Sequence, residues 1–164
     1  MQLPQKGIRY VDNVIETCNY SVEYFLCRSP AENPSRMEDF VIAGNLMWDA
    51  GKGLCEQRPD RRQDAHIKSW PSSNRAQGFV IRDNVFVGAH RQLLEVVSRL
   101  VNAEGGSSMP KLENNVFAAR KGVLLGVVEQ LPDDQTRPTY VPLDDKAEVY
   151  LNRLGAGNRV IVQP

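Results

Sequence analysis

Residues 85–106, VFVGAHRQLLEVVSRLVNAEGG, carry the most regular hydrophobic pattern in the chain. Apolar side chains recur there at intervals of three and four residues, the spacing that places them on one face of an α-helix. The members of this stripe are Ala89, Leu93, Val96, Val97, Leu100 and Val101. Gly105 and Gly106 follow, where a left-handed residue commonly ends a helix. The pattern therefore predicts an amphipathic helix over residues 89–103.

Two further segments carry helix-start signals. Ser35, with Glu38 three residues later, matches a capping box and predicts a helix over residues 36–54. Near the other end of the chain, Asp144 or Asp145 predicts the start of a short helix that ends at Gly155. Residues 159–162 are rich in valine and isoleucine and predict a closing strand.

Two segments leave helix and strand open. Residues 13–27 fit a helical stripe, which we favour, although Tyr20, Val22 and Tyr24 also alternate as in a strand. Residues 112–131 also favour a helix, with the alternative that Lys121-Gly122 forms a hairpin turn between two strands.

The predicted fold class is α+β, a mainly helical single domain over residues 1–164. Four or five helices would pack around residues 89–103, with a few short strands near 79–87 and at the C-terminus. Within residues 79–87, Asp83-Asn84 predicts a tight hairpin turn. Residues 56–78 show no periodicity and are predicted to form a long irregular loop, a kind of segment that is usually functional or disordered.

Charge and segment composition limit the classes of partner. The 164 residues include 20 basic and 20 acidic side chains, so no global field draws the chain onto nucleic acid or an anionic membrane. The N-terminus lacks the apolar core of a signal peptide, and no apolar run is long enough to span a bilayer. We therefore expect no membrane partner, no secretion by a signal peptide, and a location in the cytoplasm or within an assembled particle.

Cysteine and histidine, which commonly serve as metal ligands or catalytic groups, are sparse in this sequence. Cys18, Cys27 and Cys55 lack the paired spacings of a structural zinc site, and His66 and His90 do not supply them. The sequence therefore predicts no metal and no cofactor, assigns no catalytic residue, and favours a protein that is not an enzyme.

The candidate contact residues lie in the 56–78 loop. Arginines and an aromatic side chain are enriched at protein–protein hot spots and also occur at surfaces that bind single-stranded nucleic acid. The predicted partner-binding residues are Arg58, Arg61, Arg62, Lys68, Trp70 and Arg75. Acidic residues within the same loop favour a protein partner over nucleic acid.

The leading functional hypothesis is a structural or assembly subunit of a homo-oligomer or a larger particle, such as a viral or phage particle component. Its partners would be further copies of itself or other assembly subunits, with Trp70 in the interface. The first alternative is a small enzyme or small-molecule-binding protein whose site is built from dispersed residues. The second alternative is a nucleic-acid-binding module that uses loop 56–78.

Overall fold

The chain winds into a parallel β-solenoid, in which each turn of the chain, here called a coil, adds strands to the same stacked sheets. A computed structural model describes residues 5–24, 36–51, 65–69, 75–89, 92–99, 110–130, 136–144 and 146–164. The first coil contains β1 (Gln5–Lys6), β2 (Arg9–Val11), β3 (Val14–Glu16) and β4 (Tyr20–Tyr24). The second contains β5 (Arg36–Glu38), β6 (Val41–Ala43), β7 (Leu46–Ala50) and β8 (Ala65–Ser69). The third contains β9 (Arg75–Gln77), β10 (Val80–Arg82), β11 (Val85–Ala89) and β12 (Gln92–Arg99).

The last coil ends differently from the others. It contains β13 (Lys111–Glu113), β14 (Val116–Arg120), β15 (Leu124–Gln130) and β16 (Thr136–Pro142), followed by helix α1 (Ala147–Leu151) and β17 (Arg159–Gln163). Sheet 1 has the order β1-β5-β9, sheet 2 β13-β10-β6-β2, sheet 3 β17-β14-β11-β7-β3 and sheet 4 β16-β15-β12-β8-β4. All described pairs are parallel except β15 with β16.

The prediction of a mainly helical α+β domain is wrong. The structure is mostly β-sheet, and the described residues contain one short helix. The predicted central helix is replaced by β11 and β12, and the helix predicted over residues 36–54 by β5, β6 and β7. The short C-terminal helix and the closing strand are confirmed as α1 and β17. Residues 56–78, predicted to be irregular, contain β8 and β9.

At the corner between sheet 2 and sheet 3, a residue in the left-handed conformation turns the chain from one sheet into the next. In each coil, a residue with positive φ precedes an asparagine, as in Asp12 (φ 56°) before Asn13 and Asp83 (φ 56°) before Asn84. Aspartate, asparagine and glycine tolerate this left-handed conformation better than other residues do. Asp83 was predicted to form a hairpin turn. It does turn the chain, but β10 and β11 on either side of it belong to different sheets.

The asparagines at this corner form a hydrogen-bonded ladder through the solenoid. The ladder consists of Asn13, Asn45, Asn84, Asn115 and Asn158. In its centre, the backbone N–H and the Nδ2 of Asn45 donate to Asn84 Oδ1 at 3.0 and 2.9 Å. Asn84 donates in the same way to Asn115 Oδ1, at 3.1 and 3.0 Å. Because buried amides need partners, the ladder fixes which coil residues lie one above another.

The interior is built from columns of apolar side chains, one residue from each coil. Inward positions of sheet 3 supply one column, in which Phe86 and Phe117 stack with ring centroids 4.9 Å apart. At another corner, Phe40 and Phe79 stack at 4.8 Å. Parallel strands in exact register bring like positions together, so similar side chains accumulate in each column.

Helix α1 closes the C-terminal end of the solenoid. Ala147 and Leu151 of α1 are fully buried and belong to the apolar core. The residue after the helix ends the ladder, because Asn152 Oδ1 accepts the backbone N–H of Asn158 at 2.9 Å. In the first coil, by contrast, the core residues Tyr10 and Ile15 are only partly buried.

His66 lies inside the solenoid on β8. Its Nε2 is 2.6 Å from the carbonyl oxygen of Gly88, and its Nδ1 is 3.2 Å from Ser21 Oγ. A carbonyl oxygen can only accept, so the neutral ring carries its proton on Nε2. Burial lowers the pKa of His66 from 6.5 to about 4.

This buried imidazole predicts acid sensitivity. Because the folded pKa lies below the unfolded one, its contribution to stability is fully present above pH 6.5 and is lost as the pH falls toward 4. We expect the wild-type free energy of unfolding to fall by about 2 kcal/mol more between pH 7 and pH 5 than that of His66→Gln. Glutamine keeps one donor and one acceptor without titrating. Urea melts at the two pH values measure the difference, and parallel pH profiles for the two proteins would contradict the assignment.

Candidate interaction surface

Two rows of residues on the outer face of sheet 3 are mostly apolar, and beyond them the exposed Arg120 continues the outward side of β14. Successive side chains of a strand point to opposite faces, so the neighbours of the inward Met47, Phe86 and Phe117 point outward. The strand register aligns these outward residues in two rows across five strands. Row 1 consists of Val14, Leu46, Val85, Val116 and Arg159, and row 2 of Glu16, Trp48, Val87, Ala118 and Ile161. These two rows are called the apolar face below.

Several of these side chains are well exposed to solvent. The exposed fractions are 77% for Val14, 45% for Trp48, 36% for Val85 and 47% for Ile161. Single exposed apolar residues are ordinary, but a contiguous apolar surface on a folded chain commonly marks a contact site. The outward positions of sheet 2 differ, because they include the exposed charged residues Arg9, Arg82 and Lys111.

The two charges of the apolar face lie on its opposite edges. Glu16 is on the edge strand β3 and Arg159 is on the edge strand β17. The eight positions of the rows other than these two are uncharged. The face is therefore apolar at its centre and carries one charge of each sign at its rim.

The size of the side chains also varies across the face. Trp48 on β7 is the largest and stands between Glu16 and Val87 in the strand register. Ala118 on β14 is the smallest, and it is only 7% exposed between Val87 and Ile161. The outer surface thus has a projection at β7 and a depression at β14, on either side of the central strand β11.

The residues predicted for partner binding are only partly described. Lys68 lies on β8 of sheet 4 and is almost fully buried. Arg75 begins β9 of sheet 1, where its backbone lies opposite Arg36. The two residues thus belong to different sheets. Arg58, Arg61, Arg62 and Trp70 lie outside the described residues.

Sequence reasoning missed the apolar face, although a signal for it is present. After four of the ladder asparagines come the segments VIE, LMW, VFV and VFA, in which both the inward and the outward positions are mostly apolar. A strand with apolar residues on both faces is typical of a strand that is covered on both sides. In this structure Val14, Trp48 and Val85 on the outward side of these strands are exposed to solvent.

Other kinds of site are not formed by the described part of the chain. Within it, no three or more His, Cys, Asp or Glu side chains are grouped so that they could hold a metal ion. The described ranges also hold no helix with the length and apolar character needed to cross a membrane. Comparison with protein-family models, with curated proteins and with solved structures gives no match for this chain.

Proposed function

We propose that this protein is a structural assembly subunit that associates with further copies of itself through the apolar face. The observation that carries the proposal is the run of apolar side chains across sheet 3, from Val14 on one edge strand to Ile161 on the other, several of which are exposed. Covering such a surface removes apolar area from water, at about 25 cal/mol per Å². A self-complementary patch that meets its own copy is the commonest way in which soluble proteins form oligomers.

The rest of the described structure suits a scaffolding role. The ladder asparagines and the phenylalanine stacks direct their polar and apolar groups into the solenoid, where they hold the coils together. The outer surface of sheet 3 is left free and is supported by five paired strands. Rigid sheets of this kind position contact residues without the entropy loss that accompanies the ordering of a loop.

A charge at the centre of the apolar face should prevent association. Val85 lies on the central strand β11, so Val85→Lys would place an ammonium group where a partner excludes water. We expect this substitution to raise the dissociation constant at least about 30-fold, which corresponds to about 2 kcal/mol. Sedimentation velocity from low micromolar to submillimolar protein measures the constant.

Val11→Lys is the matched control. Val11 is 42% exposed and lies on β2 of sheet 2, so the same change adds the same charge to another face. We expect this variant to associate like the wild type. A wild-type protein that stays monomeric over the whole concentration range, or equal effects of the two lysines, would overturn the proposed function.

A further inference from the structure

We infer that two copies meet face to face about a two-fold axis that runs parallel to the strands of sheet 3, along β11. This inference rests on the proposed function and adds the geometry of the contact. The observations that carry it are the opposite charges on the two edge strands, Glu16 on β3 and Arg159 on β17, and the unequal sizes of Trp48 and Ala118 on either side of β11.

The symmetry determines which strands face each other. Two sheets that pack face to face keep their strand directions within about 30° of each other. A two-fold axis along the strands reverses the order of the strands and keeps each residue in its own row. Strand β3 then faces β17 of the partner subunit, β7 faces the partner's β14, and β11 faces its own copy.

The charges favour this axis over the other two-fold arrangement. With the axis along the strands, Glu16 lies at the same rim as the partner's Arg159, displaced by two residues, or about 7 Å, along the strand. Both side chains are long enough to close that gap. A two-fold axis along the solenoid would instead bring the two copies of Glu16 to one rim and the two copies of Arg159 to the other. Rim charges of this kind fix orientation more than they add affinity.

The side-chain sizes favour the same axis. Trp48 and Ala118 both belong to row 2, and their strands exchange places under the symmetry, so Trp48 lies over the partner's Ala118. The contact occurs twice in each dimer. A tryptophan that enters a depression near the centre of an interface is a typical hot spot. An axis along the solenoid would place Trp48 against the partner's Leu46, a large side chain against another.

The area of the face predicts how tightly the copies bind. Five strands about 4.8 Å apart, each with three to five residues of about 3.3 Å, give a planar footprint of roughly 250–400 Å² per copy. This is half or less of the roughly 800 Å² per partner that a standard specific interface buries, so the contact is weak. We therefore expect a dimer that dissociates on dilution through the micromolar range.

The decisive experiment exchanges the two side chains that are paired by the axis. Trp48→Ala and Ala118→Trp should each raise the dissociation constant about 10-fold or more, because one empties the depression and the other fills it. The double variant W48A/A118W restores one tryptophan opposite one alanine across the axis. We expect its dissociation constant to return to within about fivefold of the wild-type value, since only the paired geometry couples the two sites.

A charge exchange tests the same axis independently of the tryptophan. Glu16→Arg and Arg159→Glu should each weaken the dimer, and the double variant E16R/R159E should recover it in low salt. This pair decides the matter if A118W fails to fold, as judged by circular dichroism. Suppose that the wild type associates, that Val85→Lys prevents this association, and that neither double variant recovers it. The axis is then wrong and the proposed function stands. If the wild type is a monomer throughout, both are overturned.

Discussion

Asn84→Leu is expected to lower the free energy of unfolding by about 4 kcal/mol, because it removes the central rung of the asparagine ladder. Asn84 is fully buried, and its Oδ1 accepts from both the backbone N–H and the Nδ2 of Asn45. Its Nδ2 donates to the Ile42 carbonyl and to Asn115 Oδ1, both at 3.0 Å. Leucine is similar in size, so the loss comes from unpaired groups rather than from a cavity. A buried group that loses its partner costs about 1–3 kcal/mol.

Asn13→Leu makes the same change at the end of the ladder and serves as the control. Asn13 is only half-buried, and Asn45 Oδ1 would keep the backbone N–H of residue 13 as a donor at 2.9 Å. We expect this variant to lose about 1 kcal/mol. Urea denaturation of both variants at neutral pH measures the difference, and equal losses would show that the ladder does not act through burial.

The failure of the helix prediction has a definite physical cause. A strand that is apolar on both faces has no strict alternation, and valines placed around a corner can imitate the spacing of a helical stripe. Residues 85–106 combine both effects, since β11 and β12 follow one another there in different sheets. The valines in this segment favour strands, and that preference decides the outcome when a parallel partner is available on each side.

The alternatives left open for two segments came closer to the structure. Tyr20–Tyr24 is the strand β4, as the alternation of residues 20–24 indicated. In residues 112–131, Lys121 and Gly122 do form a turn between two strands, β14 and β15. Those strands are not a hairpin, however, because β14 pairs within sheet 3 and β15 within sheet 4. The turn can be predicted from the sequence around it, but the parallel partners of β14 and β15 lie a whole coil away along the chain.

The repeat that specifies the fold is short and unevenly spaced. The repeat consists of five dipeptides, in each of which an asparagine follows a residue that tolerates positive φ: DN, GN, DN, NN and GN. They begin at Asp12, Gly44, Asp83, Asn114 and Gly157. The connecting segments differ in length, so no fixed period reveals the repeat, although fixed periods are the usual signature of a solenoid. Without the register of the coils, residues as distant as Glu16 and Ile161 cannot be assigned to one surface.

Gly155→Ala should be the other strongly destabilising change, with an expected loss of about 3 kcal/mol. A Cβ at Gly155, where φ is +157°, would lie 1.8 Å from the carbonyl oxygen of Leu112 and 2.6 Å from its carbonyl carbon. These are backbone atoms of β13, so no side-chain rotation relieves the overlap. Moving the segment would also disturb Asn158, whose Nδ2 donates to both the Gly155 and the Leu112 carbonyl oxygens at 2.8 Å.

Gly122→Ala separates this steric effect from the cost of the backbone conformation. Gly122 has a φ of +87°, and a Cβ there would meet nothing within 4 Å. Alanine at this position should therefore cost only the strain of positive φ, about 1 kcal/mol. Thermal and urea unfolding of the two variants measure both losses. Amide exchange locates the damage: in Gly155→Ala, the backbone N–H groups of Leu112 and Asn114, which donate to Leu154 and Ala156, should lose protection first. Equal destabilisation by the two alanines would mean that the C-terminal segment does not pack against β13 as closely as these distances require.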